Sequence, residues 1–165
     1  MRYAKIVYND VVNSSGLALT FYCQGCTHHC PGCFNKGTWS FSGGNPFSEK
    51  EIAEMRYYLE HYPCDNVVLL GGEPFDNLEV NLIIADLAKE YNKSLWCYTG
   101  YLFEELANKP ESSKAARLLK QIDVLIDGEF REEMKNPLLK FKGSANQRII
   151  DVQESLSKQE VVLYE

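Results

Sequence analysis

Cys26, Cys30 and Cys33 lie in the run Cys26-Thr27-His28-His29-Cys30-Pro31-Gly32-Cys33, so one short loop can wrap three thiolates around a metal centre. A [4Fe-4S] cube has four irons, and electron-transfer proteins usually supply a thiolate to each. A loop that supplies three leaves one iron open to another ligand, which turns a cluster into a catalyst. Two rivals share the same residues. Zinc could use the pairs Cys23-Gln24-Gly25-Cys26 and Cys30-Pro31-Gly32-Cys33, although their spacer is far shorter than the roughly 15 to 20 residues of ribbon-type zinc sites. A ferredoxin-like cluster could take its fourth thiolate from Cys23, but Thr20 occupies the place of the earlier cysteine that such a pattern expects. Cys23 stands open between a core residue, a neighbour that tunes a cluster, and a ligand.

A second chemical element is Gly71-Gly72-Glu73-Pro74. Paired glycines let backbone approach a ligand with no side chain between, and Glu73, fixed by Pro74, offers a carboxylate suited to an ammonium group. A plain turn between strand and helix uses the same residues. Thr99-Gly100 and Asp127-Gly128 are further polar steps of this kind.

The elements that must position these groups alternate between strand and helix. Leu17 to Tyr22, Val67 to Leu70, Ser94 to Tyr98, Ile122 to Ile126 and Arg148 to Val152 read as short strands, with Ala4 to Tyr8 and Val161 to Tyr164 as possible edges. Ser48 with Glu51 forms a capping box ahead of Ile52, Met55 and Leu59; Asn77 caps a second helix striped by Val80, Ile84, Leu87, Ala88 and Tyr91; Ser112 or Ser113 opens a third that ends near Lys120. Strands followed by helices pair in parallel through crossovers, and chemistry then collects at the carboxyl ends of the strands. All four polar motifs fall there. A complete eight-fold barrel needs about 250 residues, so this chain of 165 is expected to form an incomplete (β/α) barrel of about five or six mostly parallel strands, in a single domain over residues 1–165.

Composition narrows the class. No basic region followed by an apolar core opens the chain, and no apolar stretch reaches membrane-span length, so a cytoplasmic protein is expected. Six clustered or isolated cysteines in such a compartment favour metal over disulfides, with Cys64 and Cys97 as core residues. The net charge of −6, from 23 acidic and 17 basic residues, argues against nucleic acid. Lys135, Lys140 and Lys142, between Arg131 and Arg148, form a local basic segment that reads most simply as a solvated loop.

Taken together, Cys26-x-x-x-Cys30-x-x-Cys33 and Gly71-Gly72-Glu73-Pro74 resemble the radical S-adenosylmethionine superfamily. Four stretches sharpen the likeness: Cys26 to Asn35, Trp96-Cys97-Tyr98-Thr99-Gly100-Tyr101, Asp123 to Gly128, and Gly143-Ser144-Ala145-Asn146-Gln147-Arg148. They resemble the signatures of anaerobic ribonucleoside-triphosphate reductase activating proteins, across about residues 5 to 152. The resemblance implies a [4Fe-4S] cluster on Cys26, Cys30 and Cys33, whose open iron binds the amine and carboxylate of S-adenosyl-L-methionine. It also implies cofactor contacts from Gly32, Cys33 and Phe34, from Gly71, Gly72, Glu73 and Pro74, and from Thr99 and Asp127. His28 and His29 are not needed as ligands and are expected to be exposed beside the cluster, in the loop 23–34.

The implied activity is reductive cleavage of S-adenosylmethionine to methionine and a 5'-deoxyadenosyl radical, which takes hydrogen from a glycine of the large reductase subunit and leaves a glycyl radical. The implied partners are that subunit and a reduced flavodoxin- or ferredoxin-type electron donor, with no nucleic acid and no membrane. No protein acid–base residue is required beyond the cluster and cofactor. The competing readings are an activase of another glycyl-radical enzyme, such as pyruvate formate-lyase, and a non-enzymatic iron–sulfur or zinc-binding module. Asn146, Gln147 and Arg148 mark the likeness, with turn bonding, cofactor contact and partner docking all open as their role.

Overall fold

In the computed structural model, which describes residues 1–165, seven strands form one mixed sheet accompanied by five α-helices. The strands are β1 (Arg2–Asp10), β2 (Ala18–Cys23), β3 (Asn45–Pro46), β4 (Asn66–Gly71), β5 (Ser94–Tyr98), β6 (Val124–Asp127) and β7 (Arg148–Asp151). Their order across the sheet is β3-β1-β2-β4-β5-β6-β7. β2, β4, β5 and β6 run parallel, whereas β1–β2, β1–β3 and β6–β7 are antiparallel pairs. The α/β class is as expected, but the sheet has more strands than five or six and is parallel only at its centre. Connection length explains the difference, because a parallel neighbour needs a long crossover, usually helical. β1 and β2 are joined by a short loop, and residues 128–147 carry no α-helix, holding the 3-10 turn Glu132–Met134 and a bridge between Lys135 and Ser144. The expected strand at Val161 to Tyr164 is reduced to a single bridge between Leu163 and Ile150.

The helices are α1 (Glu49–His61), α2 (Leu78–Glu90), α3 (Phe103–Ala107), α4 (Lys114–Gln121) and α5 (Val152–Lys158). The capping box forms: Lys50 N donates to Ser48 Oγ at 3.3 Å, and Ser48 N donates to Glu51 Oε2 at 2.8 Å. Ser113 caps α4 by accepting from Ala116 N. Asn77 precedes α2 without capping it by its side chain, which is committed elsewhere. α3 and α5 are too short to leave a readable apolar stripe.

Period-two alternation along the strands sorts the core into two faces. Leu19, Phe21 and Cys23 of β2, Val67 and Leu69 of β4, Leu95 and Cys97 of β5, and Leu125 of β6 join side chains from all five helices in one large buried cluster. Val68, Trp96, Val124 and Ile126 point the other way into a smaller one. There Trp96 meets Phe141 edge-on at 5.1 Å and Tyr164 at 5.4 Å, so a loop and the C-terminal segment cover this face. Helices therefore pack on one side, and the site opens on the other. Cys64 and Cys97 are buried in the helix-side core, as expected.

One ion pair locks the β6 end of the sheet. Asp127, fully buried, accepts from Arg148 Nε at 3.0 Å, Arg148 Nη2 at 2.5 Å and Phe103 N at 2.8 Å, while Arg148 also reaches Glu104 at 2.9 and 3.0 Å. β6, β7 and α3 meet at this carboxylate. Replacing Arg148 by Leu strands a buried charge and is expected to lower unfolding free energy by about 3 kcal/mol. Urea denaturation measures that loss, and the double variant Asp127→Asn/Arg148→Leu should recover part of it.

Candidate functional site

At the carboxyl ends of β2, β4 and β5 the structure encloses a cavity of about 440 Å³, within the roughly 300–1,000 Å³ range of small-molecule sites. Cys26, Cys30 and Cys33 line it together with Gly71, Gly72, Glu73, Thr99 and His28. The two motifs separated by about forty residues of chain thus share one wall. All six cysteines are free, and the three in the loop are partly exposed. Cys33 N donates to Cys30 O at 3.1 Å in a tight turn, and Asn35 N donates to Cys33 Sγ at 3.3 Å. Backbone donation of this kind supports a thiolate that carries negative charge.

The paired glycines bring the strand end against the cysteine loop itself. A Cβ on Gly72 would lie 2.3 Å from Gly25 O, and one on Gly71, where φ is +115°, would lie 2.5 Å from Cys23 N. Backbone bonds exploit that closeness: Gly72 N to Cys23 O at 3.0 Å and Glu73 N to Gly25 O at 2.9 Å. Asn77 Nδ2 adds bonds to Gly25 O and Glu73 O, so its amide braces the cysteine loop, and its side chain makes no cap bond to α2. Further out, Cys26 N donates to Trp39 O, and Asp76 accepts from Thr27 and from the Tyr101 hydroxyl.

Glu73 is the polar centre of the site. Its buried carboxylate accepts from Phe75 N at 3.0 Å and Thr99 Oγ1 at 2.7 Å on Oε1, and from Gly100 N at 2.7 Å on Oε2. His28 Nε2 lies 3.0 Å from Oε2, and His28 Nδ1 lies 3.1 Å from Glu129 Oε1. With a carboxylate at each ring nitrogen, both nitrogens are donors. The bond to Glu73 leads the effects that raise the pKa of His28 to about 9, with Glu129 adding to them against the cost of burial. The expectation of an exposed His28 is therefore corrected: its side chain is 10% exposed and packs edge-on to Tyr101 at 4.5 Å. His29, by contrast, is exposed and stacks on Trp39.

The other expected residues divide. Thr99 and Phe34 line the cavity. Asp127, expected among the cofactor contacts, does not: both of its oxygens are held, by Arg148 and Phe103 N. Gly32 and Pro74 also fall outside the lining, Gly32 in a turn against the Glu132 carboxyl and Pro74 buried in the 3-10 turn Pro74–Asp76. Cys23 is buried on the helix side of the sheet, where burial pushes its thiol up to about 12. Asn146 and Gln147 bond within the turn and to Glu129 O and Gly128 O, fastening the loop to the end of β6. That loop brings Phe130, Leu139, Phe141 and Lys142 to the cavity, a contribution that charge pattern alone did not reveal.

The donor set suits an iron–sulfur cluster better than a single ion. No three His, Cys, Asp or Glu side chains converge on a common ion position. Thiolates sharing one zinc at about 2.3 Å each must converge, whereas cluster thiolates each bind a separate iron. Three loop thiols around one cavity, with an amide already bonded to one sulfur, fit a cluster.

Fold and site together define an α/β iron–sulfur protein, and residues 12–150 match the family described as a 4Fe-4S single cluster domain. Relatives named anaerobic ribonucleoside-triphosphate reductase-activating protein include one from Pasteurella multocida, 39% identical over 90% of this chain and 96% of its own length. One from Vibrio cholerae is 36% identical over 90% of this chain and 97% of its own, and one from Escherichia coli is 32% identical over 89% and 96%. The chain belongs to this family of activating proteins.

Because Gly72 has no room for a methyl group, Gly72→Ala is expected to force the cysteine loop off the strand end at a cost of about 1–3 kcal/mol. A lowered Tm, with fewer irons bound per chain after reconstitution, would register it.

Proposed function

We propose that the chain activates anaerobic ribonucleoside-triphosphate reductase as a radical S-adenosylmethionine enzyme, residues 1–165 acting as one domain with the cluster in loop 23–34. The observation that carries this reading is the shared cavity: three loop thiols and the Gly71–Glu73 strand end border one space at the carboxyl ends of parallel strands. An incomplete barrel is favoured by helices packed on one face of the sheet and the cavity opening on the other. The relatives' names point to anaerobic ribonucleoside-triphosphate reductase as the target, and its large subunit as the part acted on belongs to the same proposal. No helix is long and apolar enough to cross a membrane, and work in the cytoplasm with a reduced flavodoxin- or ferredoxin-type donor belongs to the same proposal.

In this proposal Cys26, Cys30 and Cys33 hold the cluster, and their count leaves one iron without a protein thiolate. Bound together, cluster and S-adenosylmethionine would supply the one-electron cleavage of the sulfonium and the abstraction of hydrogen that leaves a glycyl radical on the reductase. The protein's own part is binding and exclusion of water. Gly71 and Gly72 offer backbone polar groups at the cavity wall, Cys33 and Phe34 also line the cavity, and Thr99 fixes the orientation of Glu73 through its 2.7 Å bond. Phe34, Phe130, Leu139 and Phe141 make much of the wall apolar, as a reactive radical requires.

Anaerobic incubation of reconstituted, reduced protein with S-adenosylmethionine and the reductase is expected to give the EPR doublet of a glycyl radical. Absence of the doublet, with cluster and reductase both verified, would redirect the proposal to another glycyl-radical target. Cys26→Ala, Cys30→Ala and Cys33→Ala should each lose cluster iron and sulfide, while Cys23→Ala retains them. Loss in Cys23→Ala alone would reverse the ligand assignment.

A further inference from the structure

An ionised carboxylate offers about four lone-pair positions. On Glu73 all four are taken: by Phe75 N, Thr99 Oγ1, Gly100 N and His28 Nε2. An ammonium group arriving at Glu73 must therefore displace a donor. Phe75 and Gly100 donate from backbone that is fixed within the fold, and Thr99 is buried and also accepts from Tyr101 N at 3.1 Å. His28 alone donates from a side chain with a second acceptor in place, Glu129, which is 55% exposed at the edge of the site. If its ring leaves Glu73 it keeps a hydrogen-bond partner at 3.1 Å.

We propose that His28 is a placeholder, donating to Glu73 Oε2 before the cofactor binds and yielding that oxygen to the ammonium of S-adenosylmethionine when it does. This deepens the function proposed above and rests on it. His28 is a positioning residue: it keeps a buried carboxylate satisfied and oriented before binding, and it imposes a competition that only an ammonium-bearing ligand relieves. An uncharged or amino-lacking ligand has no donor able to take its place. The swap exchanges one hydrogen bond for another and forms or breaks no covalent bond.

Two substitutions of opposite expected sign test this in cluster-reconstituted protein, read by calorimetric titration with S-adenosylmethionine and with an analogue that lacks the amino group. His28→Asn, with a shorter side chain, removes the competitor and should lower the Kd for S-adenosylmethionine about tenfold, the value of one charge-assisted hydrogen bond. His28→Lys tethers a competing ammonium and should raise that Kd by a similar factor. The amino-lacking analogue should bind all three proteins alike. Weaker binding in both variants, or the same shift for the analogue, would make His28 merely structural and overturn the proposal; unchanged binding in both would do the same. Wild-type protein that assembles its cluster yet binds no S-adenosylmethionine would overturn the underlying function instead, an outcome the iron assay separates from failed reconstitution.

Discussion

The site depends on the Glu73 carboxylate, a charge only 2% exposed at the cavity wall that the protein satisfies with its own donors. Four donors do so, from the turn after β4, the end of β5 and the cysteine loop. Bonds to a charged group are worth about 1.5–3 kcal/mol each, and an unmet one costs at least as much. The three segments are therefore held in mutual register by a single side chain. Once Glu73 is fixed, the loop carrying Cys26, Cys30 and Cys33 has little freedom to drift from the strand ends.

Packing makes that carboxylate possible. β2 and β4 run parallel with Cys23 opposite Gly71, so both chains leave the sheet at the same level. Their exits can touch because neither Gly71 nor Gly72 carries a side chain there. The glycines thus serve the junction between two protein segments first, and any ligand second. A comparable carboxylate, Asp127, performs the same duty at the end of β6, where it joins β7 and α3 through Arg148 and Phe103 N. Two acidic residues at the ends of parallel strands look equivalent in sequence. Burial and partners separate them: one borders the cavity, the other is sealed beneath it.

Asymmetry of the sheet completes the arrangement. All five helices cover one face, leaving the opposite face to aromatic side chains and the loop 128–147. Lys135 lies over the Phe34 ring at 5.0 Å and Lys140 over Phe141 at 5.2 Å, so the basic segment is partly spent on holding aromatic rings near the cavity. What charge pattern suggests as a solvated loop is, in part, a wall of the site.

The sequence by itself determined the elements whose causes are local. Capping at Ser48 and Ser113, the apolar stripe of α2, and the strands centred on Val68, Trp96 and Leu125 follow from spacing and side-chain type, and so did the three-thiol loop. The short α3 and α5 left no such pattern, and β7 owes its direction to a connection without a crossover helix. Tertiary structure alone decided which polar residues share the cavity. It set a half-buried His28 between Glu73 and Glu129, withdrew Asp127 into an ion pair with Arg148, and turned Asn77 from a helix cap into a strut for the cysteine loop. The physical reason is common to all three. A polar side chain takes whichever partner long-range packing brings within about 3 Å, and spacing along the chain carries no record of that partner.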